Sequence, residues 1–381
     1  MSKHFCDLCG SKENDVLLDH GGPSLSSDRN ILLIPLKKIQ CKGCGLVFSD
    51  TDSQNRNLSK NYKRKYIYNF SKKGDAVFFT NVGTQDRSSY IFEWVMRNLS
   101  KLELEKAETI VEVGCGEGNL LEKFSKNFKN KTIIGFELNK NAIKIGQKKG
   151  LDVRDLDDIK KVKADIIISF AVIEHTQSPK NFLKNLIKSL KSDGILIIGQ
   201  PHQDKIYYDI FFSDHLFHFS SKHLEDYGRQ LNLIQYKKSI GKWPIDSFSL
   251  HLFKKSKRNL KKNTQYHPTK VKQSIDYYKK KFKKINVFLQ KEKNIQNGIA
   301  VFGLGELFSV FYCYSNLKNA NIKFGIDDFP KKNHDFKFKV ISSKMIKNMK
   351  KIPIIVCVNR NYYGIVIKRL STYHVWFPLK R

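Results

Sequence analysis

Three glycines and two acids near the first third of the chain carry the clearest chemical signal. Gly114, Gly116 and Gly118 lie in Val111-Glu-Val-Gly-Cys-Gly-Glu-Gly118, directly after an apolar run and before a helical pattern. Glycines at such a point let the backbone turn sharply and approach a ligand at the carboxyl edge of a sheet. The spacing Gly-x-Gly-x-Gly departs from the Gly-x-Gly-x-x-Gly that cradles a dinucleotide pyrophosphate. It suits a ligand without phosphate, such as S-adenosylmethionine (SAM), whose amino acid and ribose need room. Glu112 is placed to reach the methionyl ammonium, directly or through water. Glu137, 19 residues after Gly118, ends the next apolar run, where a carboxylate accepts both ribose hydroxyls. Asp155 is a weaker candidate for the adenine amine, and Phe170 for packing at the end of the following strand. Alone, the loop would equally serve a nucleotide or NAD; Glu137 and the Asp165–His175 segment turn the reading to SAM.

A second constellation is made of cysteines. Cys6-Asp-Leu-Cys9 and Cys41-Lys-Gly-Cys44 offer four thiolates, a set that suits tetrahedral zinc. The 31 residues between the pairs, Gly/Ser/Asp-rich from His20 to Asn30, are long for a ribbon and read as an excursion. The alternatives are a redox pair or free thiols. Seven cysteines, an odd number, with no secretion pattern at the start argue against a disulfide framework. With no open coordination position suggested, the zinc would be structural, and the segment would fold only with it.

These residues need strands and helices to hold them. Thr109–Val113, Thr132–Phe136, Asp165–Phe170 and Ile195–Ile198 read as strands, alternating with helices over Asn119–Phe128, Ala142–Lys149 and Lys180–Leu190. Such alternation predicts a mostly parallel sheet wrapped by helices. Val271, Ile275, Tyr278, Phe282, Ile285 and Leu289 mark one face of a Lys-rich connecting helix. The alternation resumes at Gly298-Ile-Ala-Val-Phe-Gly303-Leu-Gly305 and continues through Ile322–Ile326 and Ile352–Val358. The expected fold is therefore α/β: a four-cysteine segment with a basic, Tyr-rich extension over 1–72 and a Rossmann-like domain over 73–250. A basic connecting helix over 251–295 and a smaller Rossmann-like α/β domain over 296–381 complete it. An apolar share of 40% supports real cores, and no stretch is long enough to span a membrane, which makes a cytoplasmic protein the expectation. The net charge of +33 is carried by lysines scattered through every segment, so it does not by itself identify a nucleic-acid partner.

Val111–Gly118, Gly135-Phe-Glu137, Asp165-Ile-Ile-Ile-Ser-Phe-Ala-Val-Ile-Glu-His175-x-x-x-Pro179 and Lys191-Ser-Asp-Gly194 resemble consecutive motifs of class I SAM-dependent methyltransferases. The full order of segments, with Cys41-Lys-Gly-Cys-Gly-Leu-Val-Phe48, is similar to zinc-binding sugar C-methyltransferases that act on nucleotide-linked keto-deoxysugars. The resemblance implies SAM and structural zinc as cofactors, Cys6, Cys9, Cys41 and Cys44 as the metal ligands, and a nucleotide-linked sugar as substrate. It also implies a catalytic pair in Ser213-Asp-His-Leu216, with His215 as general base and Asp214 standing where the family has Glu. Methylating carbon beside a ketone requires loss of a weakly acidic C–H proton, and a neutral His, of reference pKa about 6.5, suits that transfer. Asp214 carries only a supporting or substrate-binding role. The bland reading has His215 and His218 capping a turn and His175 flooring the pocket. Tyr66 and Tyr68 are loose candidates for a substrate contact. Two departures stand against the substrate assignment: Phe212 replaces a common Tyr, and Gly303-Leu-Gly-Glu-Leu-Phe308 replaces a Gly-Ala-Pro-Ala-Lys-Gly loop. O-methylation of a sugar, an rRNA or tRNA methyltransferase with a zinc knuckle, and a non-catalytic SAM-binding partner remain open alternatives.

Overall fold

The structure, a computed structural model, describes residues 5–50, 75–80, 83–261, 264–291, 298–328, 336–348 and 352–380. Tyr66 and Tyr68 lie outside the described residues.

The cysteine segment contributes β1 (Asn14–His20), β2 (Ser24–Leu25), β3 (Ile31–Leu32), β4 (Leu36–Cys41) and β5 (Val47–Ser49). A short pair, β6 (Val77–Thr80) and β7 (Gly83–Asp86), precedes the helix Arg87–Asn98, whose first turn is capped by Asp86 accepting from Ser89 N. The unit expected to be catalytic then runs through β8 (Thr109–Val113), β9 (Thr132–Glu137), β10 (Val153–Asp155), β11 (Ala164–Phe170) and β12 (Leu190–Pro201). It continues with β13 (Phe217–His218), β14 (Leu233–Ile240) and β15 (Phe248–Lys255).

Its seven-stranded sheet has the order β10-β9-β8-β11-β12-β15-β14. All pairings are parallel except those of β15, which inserts antiparallel between β12 and β14. The central strands are apolar runs because both faces are covered: Ile166, Ile167 and Ile168 are each at most 1% exposed. The intervening helices bury one stripe apiece, such as Leu120, Leu121 and Phe124 of Asn119–Asn127. Their starts are set locally. The Asn139 side chain accepts from Asn141 N and Ala142 N, and Ser178 precedes Pro179 at the first turn of Pro179–Ser189.

The helix Val271–Lys291 buries Val271, Ile275, Tyr278, Phe282 and Ile285 along one face. It leads to a five-stranded parallel sheet made of β16 (Ile299–Phe302), β17 (Ile322–Ile326), β18 (Lys339–Ile341), β19 (Ile354–Val356) and β20 (Val375–Trp376). Its order, β18-β17-β16-β19-β20, is the 3-2-1-4-5 of a doubly wound sheet that lacks only the sixth strand.

The cysteine segment is built into both units. Its four-stranded sheet, β1-β4-β5-β13, is closed by a strand from the catalytic unit, with Phe217 opposite Phe48 and His218 opposite Val47. Cys6, Leu8, Cys41, Cys44, Leu46 and Phe48 share one core with Val111, Phe136 and Phe219. Leu18, Leu25, Leu36 and Val47 share another with Phe211, Phe212, Phe308 and Phe311. The stretch from Ser24 to Asp28 is buried between the two units rather than projecting as an excursion.

Candidate active site

The glycine loop leaves the end of β8 with Gly114, Gly116 and Gly118 at φ of 74°, 55° and 80°, the left-handed region that side chains rarely adopt. At Gly114 space forbids a side chain as well, since a Cβ would lie 2.3 Å from Val172 Cγ2. Glu137, ending β9, accepts from Gly116 N at 2.9 Å through Oε2, and from Leu138 N and Asn139 N at 2.8 and 2.9 Å through Oε1. Three backbone donors thus hold that carboxylate beside the loop, with lone pairs left for a diol. Glu112, on β8, is 6% exposed, and its Oε2 has no hydrogen-bond partner among the described residues. Burial, reinforced by the negative charge of Glu137, pushes its carboxyl up to about 8. A buried acid with one oxygen unpartnered beside a glycine cradle fits an ammonium-bearing ligand with a ribose, so these residues fit SAM.

The other proposed contacts are less direct. Asp155 accepts from Asp157 N at 3.0 Å and caps the turn Leu156–Lys161. Phe170 stacks on Phe248, with ring centroids 5.2 Å apart, and fills the space over Gly199, where a Cβ would lie 2.1 Å from its ring. The Arg87 guanidinium sits 5.5 Å from the Phe170 ring centre.

A cavity of about 380 Å³ opens between the catalytic unit and the C-terminal unit. Glu174, His175 and His215 line one wall; the Gly303–Gly305 loop, Glu306 and Asp327 line the opposite one. Two residues with left-handed backbone, Ala171 at φ 58° and Arg29 at φ 70°, also line it. Such strain collects at functional sites, where the surrounding structure holds it in place.

His215 is 6% exposed, and its Nδ1 lies 3.3 Å from Asp209 Oδ2. Asp209 also contacts His218 Nδ1 at 3.2 Å and accepts from Gln203 Nε2 at 2.9 and 3.0 Å. Burial opposes charge on both members of the pair, but their hydrogen bond outweighs it: Asp209 is held far below the usual carboxylate range and His215 is raised. The same contact orients the ring, leaving Nε2 as the reactive nitrogen when His215 is neutral. Asp214, its sequence neighbour, instead accepts from Ser27 N at 2.8 Å and Ser27 Oγ at 2.7 Å. His175 Nδ1 lies 2.8 Å from the Asp214 carbonyl, and its ring meets His215 edge-on at 4.7 Å. Burial, with the nearby His215, lowers His175 to about 4, so it is neutral at pH 7.

Two supports have no obvious sequence signal. Asp209 sits inside the aromatic run Tyr207-Tyr-Asp-Ile-Phe-Phe212, and the turn Tyr208–Phe211 aims it at the histidines. Lys38, on β4, is wholly buried and donates to Ser49 Oγ at 2.9 Å, Phe212 O at 3.0 Å and His215 O at 2.5 Å. Burial lowers its ammonium to about 7. It ties the backbone on either side of Asp214 to the cysteine segment.

The four cysteine sulfurs all lie within 4.8 Å of one another, with Cys6–Cys44 at 3.5 Å and Cys9–Cys41 at 3.4 Å. Tetrahedral zinc with bonds of about 2.3 Å sets its sulfurs roughly 3.8 Å apart, so the quartet fits that ion. Hydrogen bonding among the sulfurs pulls the Cys41 thiol down and pushes Cys6 and Cys44 up. The cluster is pinned to the catalytic unit: Asp7 accepts from Ser178 Oγ, Lys180 N and Tyr227 Oη at 2.6, 2.9 and 2.9 Å, and His223 Nε2 lies 2.9 Å from Cys44 O.

Residues 84–261 match the family profile whose description is "Methyltransferase domain". The chain is 26% identical over 207 residues to a ubiquinone biosynthesis O-methyltransferase of Rickettsia conorii, covering 49% of this chain and 68% of that protein. The corresponding protein of Rickettsia prowazekii is 29% identical over 155 residues, covering 38% of this chain and 59% of its own length. Among solved structures, the plantazolicin methyltransferase BpumL in complex with SAH aligns at 16% identity and a TM-score of 0.36, over 54% of this chain and 91% of that one. Among the described residues no helix is long and apolar enough to cross a membrane. With the glycine loop, the paired acids and this match in hand, the chain is an enzyme, a SAM-dependent methyltransferase whose class I domain lies within residues 84–261.

Proposed function

We propose that the enzyme methylates a nucleotide-activated sugar at a carbon beside a ketone, with His215 as general base. The observation that carries this reading is the cavity shared by the histidine wall and the glycine-loop edge of the Rossmann-like unit. That edge repeats the chemistry of a nucleotide site: a strand, Gly303 at φ 82°, a helix start at Glu306, and Asp327 directly after the next strand. A nucleotide held there directs its sugar toward His215. Glu112, the Gly114–Gly118 loop and Glu137 hold the cofactor, with Asp155 and Phe170 as outer contacts. Bound SAM supplies an electrophilic methyl group on a positive sulfur.

The protein's own residues supply the rest. Asp209 orients His215 and stabilises the imidazolium that forms when Nε2 takes the substrate proton. Asp214, through Ser27, keeps the loop Ser24–Arg29 on the cavity wall. Zinc on Cys6, Cys9, Cys41 and Cys44 is structural in this reading and holds the strand that carries Lys38. The ubiquinone-pathway names of the relatives favour a second reading, O-methylation of a small molecule, in which the same His215–Asp209 pair deprotonates a hydroxyl.

The test is methyl-labelled SAM offered with a panel of nucleoside-diphosphate keto-sugars, a catechol-type phenol and rRNA, read by mass spectrometry. Label on a sugar carbon, lost in His215→Ala, supports the reading; label on oxygen selects the second. Label in RNA overturns both.

A further inference from the structure

One acid in the cavity has no part in the reaction so far. Glu174 lies in the short turn Ile173–His175, is 1% exposed and faces the cavity. Neither carboxyl oxygen has a hydrogen-bond partner among the described residues. One of its oxygens, one ring nitrogen of His175 and one ring nitrogen of His215 lie within 4.8 Å of one another. Its position relative to His215 is fixed, because its backbone carbonyl accepts from Leu216 N at 2.7 Å.

An unpaired carboxylate at such a site is costly, whereas a neutral carboxyl is tolerated and brings a proton to donate. The charged and titratable groups around Glu174 are His175 and His215 beside it, with Asp209 and Arg87 farther off. Burial dominates, and the carboxyl is pushed up to about 7. An acid and a base then stand side by side on one wall, each with a reactive atom toward the same space.

We propose that Glu174 is a second catalytic residue, a carboxylic acid that donates a hydrogen bond to the acceptor's carbonyl oxygen while His215 removes the proton from the adjacent carbon. This rests on the carbon-methylation reading above. The C–H bond breaks, its proton goes to His215 Nε2, and its electron pair forms the C=C bond of an enolate. The negative charge reaches the oxygen that the Glu174 hydroxyl faces. The enolate carbon then bonds to the cofactor's methyl group, the carbon–sulfur bond breaks with its electrons left on sulfur, and the C=O bond re-forms. Glu174 keeps its proton at the end of the cycle, and the proton on His215 leaves to solvent.

The proposal separates an acid from a structural carboxyl. The substrate probe is a nucleoside-diphosphate-linked 4-keto-6-deoxyhexose in deuterated water, followed by mass spectrometry with SAM or with SAH. Glu174→Ala should lower kcat about 10²- to 10³-fold and slow solvent-deuterium uptake into the sugar with SAH bound by a similar factor. Glu174→Gln keeps an N–H donor; it should retain kcat within about ten-fold and lose the alkaline limb expected of the wild type near pH 7. Infrared difference spectra of wild type minus Glu174→Gln at pH 6, with SAH alone, should contain a protonated carboxyl band. An ionised carboxylate in that spectrum overturns the proposal, as does Glu174→Ala with wild-type exchange and turnover. If the wild type neither exchanges nor methylates the keto-sugar, the carbon-methylation reading fails, and the role of Glu174 in it falls with that reading, whatever the infrared band shows.

Discussion

At the scale of single residues, the site turns on how a buried aspartate sets the state of one histidine. Replacing His215 with Ala should cost about a hundred-fold to ten-thousand-fold in kcat while leaving SAM affinity, measured by calorimetry, near its wild-type value. Asp209→Asn is a sharper probe. In the wild type the Asp209 contact raises His215, and the proposed base works only when deprotonated, so activity should climb as pH rises through that raised value. The amide removes the charge, so the acid limb of the kcat profile should move to lower pH. The plateau should also fall, by about ten-fold or more, as the ring loses its orientation. A limb that stays in place would mean another group titrates there. The histidines and Glu137 stand out in the sequence because their neighbours are motif-like and local. Asp209 does not, since its partners are set by a turn inside an aromatic run, and nothing in Tyr-Tyr-Asp-Ile-Phe-Phe marks one acid as aimed inward.

At the scale of elements, the cysteine segment clamps the loop that carries His215, the proposed base. Lys38→Met leaves Ser49 Oγ and the carbonyls of Phe212 and His215 without their shared donor. The expected result is a loss of roughly 1–3 kcal/mol in unfolding free energy. A fall in kcat larger than any change in SAM affinity should accompany it, both read on the same preparation. Chelation, or Cys44→Ser, should release one zinc per chain by mass spectrometry. The melting temperature should drop by about 10 °C or more, because a closed zinc site, as proposed, would be part of the fold. Full activity in a zinc-free protein would refute the clamp. The parallel strands were readable as apolar runs between glycines and helical stripes, and the observed spans of β8, β9 and β11 lie within a residue of those expectations. The insertion of β15 between β12 and β14 was not, because strand order is decided by packing far along the chain. Lys38 was equally hidden. A lysine in Leu-Lys-Lys-Ile-Gln reads as solvated, and only a hydroxyl on the neighbouring strand and two carbonyls brought from a distant segment make its burial tolerable.

For the whole molecule, the placement of the cavity at a boundary makes binding and chemistry separable. Asp327→Ala, at the far wall, should raise KM for a nucleotide-linked acceptor by about ten-fold or more, with kcat and SAM affinity little changed. Equal KM for both proteins would remove the nucleotide from that wall. The sheet that encloses the cysteines has a further consequence, for synthesis. Its last strand, Phe217–His218, lies about 170 residues beyond Val47–Ser49, and the loop at Ser24–Leu25 meets Phe212 only from the same distant stretch. As a chain grows from the ribosome, domains ordinarily complete in the order they emerge. Here the leading segment must idle with its thiols exposed until the catalytic sheet has been made, and long-range closure of this kind is slow. A nascent chain halted before residue 217 should therefore expose the four cysteines to alkylation. Once Phe219 has emerged and folded, the same thiols should be sealed.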